Sequence, residues 1–532
     1  MRCAGRLTTI TAIIAIMLSG ARSGTGAEAS GPVRTHSGPV SGTASSDGKI
    51  RIYRGIPFAA PPVGDLRWKA PQPVEPWSTV RHADDYGASC MQDLKRSRPP
   101  WTKEYMTQNE DSEDCLYLNV WTPASSTGRK LPVFVWIFGG GFQEGSGEVP
   151  VYEGTELARM GIVVVTLNYR VGIFGFLAHP ELTSESPHHS SGNYGLLDQV
   201  AALQWVKKNI LAFGGDPERV TIGGQSAGAA SVHALVASPL AKGLFVRAIA
   251  QSGSGVTGFP QLPLTEAEKV GRDFAAANGA YSLKELRALS PVALMAAQMQ
   301  GTSSGIRFPP VTDGWFYPEE PAKILAEGKE NDVPIITGLV ANDYRLMSEA
   351  ILSADEFRKR VMEQYGPMAE EFLKLYPAGN DEESADSQAE SARDRGRVSM
   401  YEWVLRRART AKMPAYTYYF TQALPDPAHP QFGAFHSGEV PYTFHNLAIF
   451  DRPFKPVDFH VSDTISAYWT NFVKTGDPND SALPSWAAAS SGNASTQEIG
   501  EHIGQIPLTS PEKLRFWKAY FDSPISKNAP IF

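Results

Sequence analysis

With 532 residues, 42% of them hydrophobic and 20% charged, the chain has the composition of a loop-rich globular protein able to bury a large core. Its 49 basic and 56 acidic residues leave a net charge of −7, and no Lys/Arg block is long enough to serve as a footprint for nucleic acid, which excludes that partner. The length admits two or more domains, but large α/β enzymes also fill it with one sheet and long excursions.

Arg2 and Arg6 precede an apolar run from about Leu7 to Leu18, followed by small and polar residues through Ala27. This layout predicts an export signal over residues 1–27, leaving a mature chain of residues 28–532 in the periplasm or outside the cell. The run is about a dozen residues, short of the roughly 20 that a membrane span requires, and no cysteine follows it for lipid attachment. Loss of the leader removes Cys3 and leaves Cys90 and Cys115 in a compartment where a disulfide persists. Pairing them is the economical reading.

Residues 50–53 alternate like a short strand, and the proline-punctuated residues 55–62 are expected to be irregular. Continuous apolar runs at residues 133–138, 162–167, 220–223, 245–250 and 334–337 suit strands buried on both faces. Between them, Leu197, Ala201, Leu203, Val206 and Ile210 fall near helical spacing, and Asp198 is expected in the N-terminal turn of a helix over residues 197–213. Strands alternating with helices imply an α/β fold with a large, mostly parallel central sheet flanked by helices. Residues 266–330 and 353–409 have charged, helix-compatible stretches. They are expected to be insertions into a single domain, without a core of their own.

Residues 220–231 predict a strand, a Gly-x-Ser-x-Gly turn (Gly224, Gln225, Ser226, Ala227, Gly228) and a helix. In this nucleophile elbow, small residues let a tight corner close, and the helix N-terminus sets backbone N–H groups beside developing negative charge. Ser226 is therefore the candidate nucleophile. Upstream, Trp136-Ile137-Phe138-Gly139-Gly140-Gly141-Phe142 follows a strand and can turn backbone N–H groups toward a carbonyl oxygen. Gly140, Gly141 and Ala227 are the candidate donors of an oxyanion hole. A nucleotide phosphate loop would carry a following Lys and Ser/Thr, which are missing here.

Across the rest of the chain, Tyr53-Arg54-Gly55-Ile56-Pro57-Phe58, Glu113-Asp114-Cys115-Leu116-Tyr117-Leu118-Asn119-Val120-Trp121, Asn168-Tyr169-Arg170-Val171-Gly172, Gly192-Asn193-Tyr194-Gly195, Phe213-Gly214-Gly215-Asp216-Pro217 and Thr475-Gly476-Asp477-Pro478-Asn479 resemble blocks of the type-B carboxylesterase family. The resemblance implies an α/β-hydrolase fold, a Cys90–Cys115 disulfide, no metal or organic cofactor, and a small-molecule ester as substrate. Two positions depart from the common pattern: Phe138 where many members have His, and Gln225 where many have Glu. The second makes a cationic substrate less suited to the site.

The order of the fold is serine, acid, histidine. His436, in Gly433-Ala434-Phe435-His436-Ser437-Gly438-Glu439-Val440, resembles the family's histidine loop, with His445 as its rival. Asp343 stands after the strand at residues 334–337, where relatives usually have Glu. Its shorter side chain requires a closer loop, and Glu349 is the outside alternative. Ser252 matches a serine that supports the acid in relatives. The expected activity is carboxylic-ester hydrolysis through an acyl-enzyme on fairly apolar, uncharged esters. Long-chain lipase action and a non-catalytic binding role are the alternatives. Acyl-chain length and oligomeric state stay open, as does the use of the N-x-Ser patterns at Asn479 and Asn493.

Overall fold

The computed structural model describes residues 31–93, 99–126, 128–253, 261–303, 307–343 and 351–528. The expected leader and Glu349 lie outside these residues. Eleven strands among the described residues form one sheet: β1 (Thr43–Ala44), β2 (Ile50–Pro57), β3 (Tyr117–Pro123), β4 (Leu131–Ile137), β5 (Val163–Leu167), β6 (Gly215–Gln225), β7 (Arg247–Gln251), β8 (Ile335–Val340), β9 (Ala415–Phe420), β10 (Ser495–Ile499) and β11 (Ile503–Pro507). Their order is β11-β10-β9-β8-β7-β6-β4-β5-β3-β2-β1. The stretch from β5 to β10 is parallel throughout, and antiparallel strands close both edges.

The apolar runs become strands because both faces of the sheet are covered. Along β4, Val133, Val135 and Ile137 enter one hydrophobic core while Phe134 and Trp136 enter the other, and β5 divides its valines in the same way. The described helices of seven or more residues are α1 (Tyr194–Asn209), α2 (Ala227–Ala237), α3 (Leu264–Ala277), α4 (Pro291–Ser303), α5 (Ala354–Tyr365), α6 (Ala369–Leu375), α7 (Asp381–Arg407), α8 (Pro456–Thr475) and α9 (Pro511–Asp522), and α1, α2, α7 and α8 pack on the sheet. No described helix is long and apolar enough to cross a membrane.

Two sequence expectations need correction. The strand at residue 50 does not stop before the prolines but runs to Pro57, passing Gly55 through an irregularity in register between Tyr53 and Ile56. Gly55 has φ +68°, and a Cβ there would lie 2.6 Å from Asp85 O, so the bulge takes glycine. Helix α1 begins three residues earlier than expected, which moves Asp198 out of the first turn. Asp198 is instead a buried partner of Arg170, accepting from Nε at 2.8 Å and Nη2 at 2.7 Å. The second insertion shares its apolar cluster with the C-terminal helix. Phe357, Tyr365 and Phe372 of α5 and α6 pack on Phe516, Trp517 and Tyr520 of α9.

Candidate active site

Strand β6 ends in a corner rather than a loop. Ser226 has φ +58° and ψ −124° and stands immediately before α2, a conformation that costs about 1–3 kcal/mol and persists only where its surroundings enforce it. Its N–H donates to Gln251 O at 2.8 Å and its C=O accepts from Ala230 N at 2.9 Å. The flanking glycines are dictated by crowding. A Cβ on Gly224 would lie 2.5 Å from the Gly228 backbone, and one on Gly228 only 2.1 Å from Ile137 O. Ala227, fully buried, opens the helix beside the serine.

The glycine loop after β4 meets this corner. A Cβ on Gly139 would lie 2.5 Å from Gln225 O and 3.0 Å from Ser226 Cβ. Gly140 and Gly141 have φ of +110° and +62°, and a Cβ at Gly141 would meet nothing within 4 Å, so the loop leaves open space there. Phe138 supports the loop from behind: its ring stacks on Tyr169 at 4.2 Å, and Tyr169 Oη donates to Phe138 O at 2.9 Å. The loop is also tied to the Cys90–Cys115 disulfide, whose Cα atoms are 4.9 Å apart. Gln92 makes two bonds of 2.8 Å to Gly145, one through each end of its amide.

Asp343 follows β8 and His436 follows β9. Asn342 N donates to Ala434 O at 2.9 Å, Ala434 N donates to Asn342 Oδ1 at 3.1 Å, and Asn342 forms an isolated bridge with Phe435. These bonds draw the two loops together, and the short aspartate side chain reaches the ring: Asp343 Oδ1 lies 2.5 Å from His436 Nδ1. The other carboxylate oxygen accepts from Ser252 Oγ at 2.8 Å and Val340 N at 3.1 Å. His445, by contrast, pairs with the exposed Asp463.

Three neighbours were not singled out from the sequence as part of the His436 environment. Gln225 Nε2 lies 3.1 Å from His436 Nε2, and Ser437 Oγ donates to Gln225 Oε1 at 2.9 Å. Glu439 is wholly buried, accepting from Gln251 Nε2 at 3.3 Å. Ser437 and Glu439 lie in the same short segment as His436, which is the signal that could have found them, whereas Gln225 reaches the ring from the corner at the end of β6. Burial opposes a charge on His436, but the Asp343 carboxylate and then Glu439 outweigh it and hold the ring above the ordinary histidine range. Burial first, and the Asp343 charge second, push Glu439 up to about 7. No group of three or more His, Cys, Asp or Glu among the described residues is placed to hold a metal ion.

Residues 29–517 match the family described as the carboxylesterase family. The fumonisin B1 esterase of Sphingopyxis macrogoltabida is 36% identical over 85% of this chain and 83% of its own length. The para-nitrobenzyl esterase of Bacillus subtilis (strain 168) is 36% identical over 86% of this chain and 92% of its own. Two solved PNB esterase structures superpose with TM-scores of 0.79 and 0.78, each at 33% identity over 92% of this chain and 99% of theirs. The fold is that of an α/β-hydrolase, and the chain belongs to the carboxylesterase family and is a carboxylic ester hydrolase.

Proposed function

We propose that this chain hydrolyses uncharged, fairly apolar carboxylic esters through an acyl-enzyme on Ser226. In this mechanism His436 takes the Ser226 proton as Oγ attacks the ester carbonyl, while Asp343 holds the proton on Nδ1 and stabilises the imidazolium. Backbone N–H groups of Gly140, Gly141 and Ala227 receive the oxyanion. His436 then protonates the departing alcohol and activates the water that releases the acid. Gln225, neutral where many members carry Glu, supports the preference for uncharged substrates. The reading includes export of the mature chain, supported by the leader pattern and by the Cys90–Cys115 disulfide.

The observation that carries the mechanism is the buried 2.5 Å contact between Asp343 and His436, whose Nε2 lies 3.1 Å from the side chain of Gln225, the residue before Ser226 in its strained corner. The test is covalent modification by a fluorophosphonate probe, read as a mass increase on the Ser226 peptide. Ser226→Ala should abolish labelling and lower nitrophenyl ester turnover by about 10⁶-fold if the three residues act as a unit. Hydrolysis retained in that variant rejects the nucleophile, and a wild-type protein that neither labels nor turns over esters would favour a binding role. Nitrophenyl esters from acetate to palmitate separate an esterase preference from that of a long-chain lipase.

A further inference from the structure

Glycines leave a backbone free to rotate, so the direction of the Gly140 and Gly141 N–H groups depends on what holds the loop around them. The entry is fixed by Tyr169 Oη on Phe138 O, and the turn by Gly172 N on Phe142 O at 2.6 Å and Gln298 Nε2 on Gln143 Oε1 at 3.2 Å. The exit is Gly145. A Cβ there would lie 2.3 Å from the Phe138 ring and 2.6 Å from Gly139 O, so the exit packs directly on the start of the loop and has only backbone to offer. Gln92, 5% exposed, grips that backbone as a neighbouring strand would. Gly145 N donates to Oε1 and Nε2 donates to Gly145 O, both at 2.8 Å. Nε2 donates again to Cys90 O at 2.9 Å. All three partners agree on one orientation of the amide, and turning it over would set donor against donor and acceptor against acceptor.

Gln92 lies in the loop that the Cys90–Cys115 disulfide closes, and Cys90 supplies both its third partner and one end of the bond. Two more side chains fasten the same region to the residues after Gly145. Asn168 Oδ1 accepts from Gly147 N at 2.8 Å while its Nδ2 donates to Ala88 O at 2.9 Å, and the buried Glu148 accepts from Gln108 N at 2.7 Å. We propose that Gln92 is a positioning residue for the oxyanion hole and that the disulfide keeps it in place, so that the Cys90–Cys115 bond sustains turnover as well as stability. This rests on the acyl-enzyme reading given above, in which Gly140 and Gly141 receive the oxyanion. When Ser226 Oγ bonds to the carbonyl carbon, the π pair moves to oxygen, and the N–H groups must already point at it. A loop slightly out of place stabilises that charge less while still admitting the neutral ester, so the loss falls on kcat and not on KM.

The test uses the full chain and an aryl trifluoromethyl ketone, to whose carbonyl carbon Ser226 Oγ adds. The Oγ–C bond forms, the C=O π pair becomes an oxyanion in the hole, and the serine proton passes to His436. The alcohol made by reducing that ketone cannot take the serine and reports on the pocket alone. The proteins compared are wild type, Gln92→Met, Gln92→Asn, Cys90→Ser with Cys115→Ser, and that pair combined with Gln92→Met. Nitrophenyl acetate turnover is counted per Ser226 labelled by a fluorophosphonate at completion, so unfolded protein does not enter. Gln92→Met should lower kcat and ketone affinity by about ten-fold each, less than outright loss of an oxyanion donor, and leave KM and alcohol affinity within about two-fold. Gln92→Asn keeps the amide but not its reach, and should behave likewise. The cysteine pair should show the same split, and adding Gln92→Met to it should cost less than about two-fold more, because both changes release one contact. A folded Gln92→Met with kcat and ketone affinity within about two-fold of wild type, or with alcohol affinity lost as far as ketone affinity, overturns the positioning role. A further loss of about ten-fold in the combined variant overturns the part given to the disulfide. Failure of the acyl-enzyme reading looks different: in wild type the ketone binds no tighter than the alcohol, or Ser226 takes up no label.

Discussion

Replacing Glu439 by glutamine isolates the energetic consequence of burying a carboxyl beside Asp343. Burial and the neighbouring charge raise the group from its ordinary 4.5 to about 7. Between those two values the folded protein keeps the proton while the unfolded chain has released it. The unfolded state then binds fewer protons, and stability falls as pH rises. The contribution is whole below about pH 4.5 and is lost as pH passes through about 7. About 2.5 pH units at about 1.4 kcal/mol each give a loss of about 3 kcal/mol. Glutamine is neutral at every pH and keeps an acceptor for the Gln251 amide. Glu439→Gln should therefore melt a few degrees above wild type at pH 8.5 and together with it at pH 5, by calorimetry or circular dichroism. A variant that melts below wild type at both pH values, or differs from it equally at both, refutes the reasoning.

Other substitutions probe the corner, the loops and the ring. Gly228→Ala forces a Cβ to within 2.1 Å of Ile137 O, where backbone must move, so the variant should be recovered mainly as insoluble protein or melt far below wild type. Replacing Cys90 and Cys115 by serine opens a loop spanning 25 positions and should lower stability by about 3 kcal/mol, read as a melting shift between oxidised wild type and the double variant. For ester hydrolysis itself, the acid limb of kcat/KM should lie above the ordinary histidine value of 6.5, because Asp343 and Glu439 favour the imidazolium. An acid limb well below that value would contradict the electrostatics of the ring.

Features that depend only on neighbours along the chain are legible without the fold. The strand, corner and helix around Ser226, and the glycine loop after β4, are local solutions to crowding and can be read from a few adjacent residues. The buried strands of the parallel core were legible for the same reason, since continuous apolar runs have nowhere else to go. Strands β9, β10 and β11 were not. Ser495-Thr496-Gln497-Glu498-Ile499 carries a polar pattern and becomes a strand by pairing with β9 and β11, a partnership no local window contains. The bulge at Gly55 needed the approach of Asp85, and the pairing of Asp198 needed Arg170.

At the site the division is the same. Family resemblance pointed to Asp343 and His436, 93 residues apart, but only the packed loops decide that an aspartate reaches where a longer acid is usual. The contact between Gln225 and Ser437 spans 212 residues, and the burial of Glu439 exists only once β7, β9 and the histidine loop have closed around it. Propensity and pattern act over a few residues. Proton affinities and side-chain orientation in this pocket are set by which distant groups the sheet brings to one end, so they belong to the tertiary structure alone.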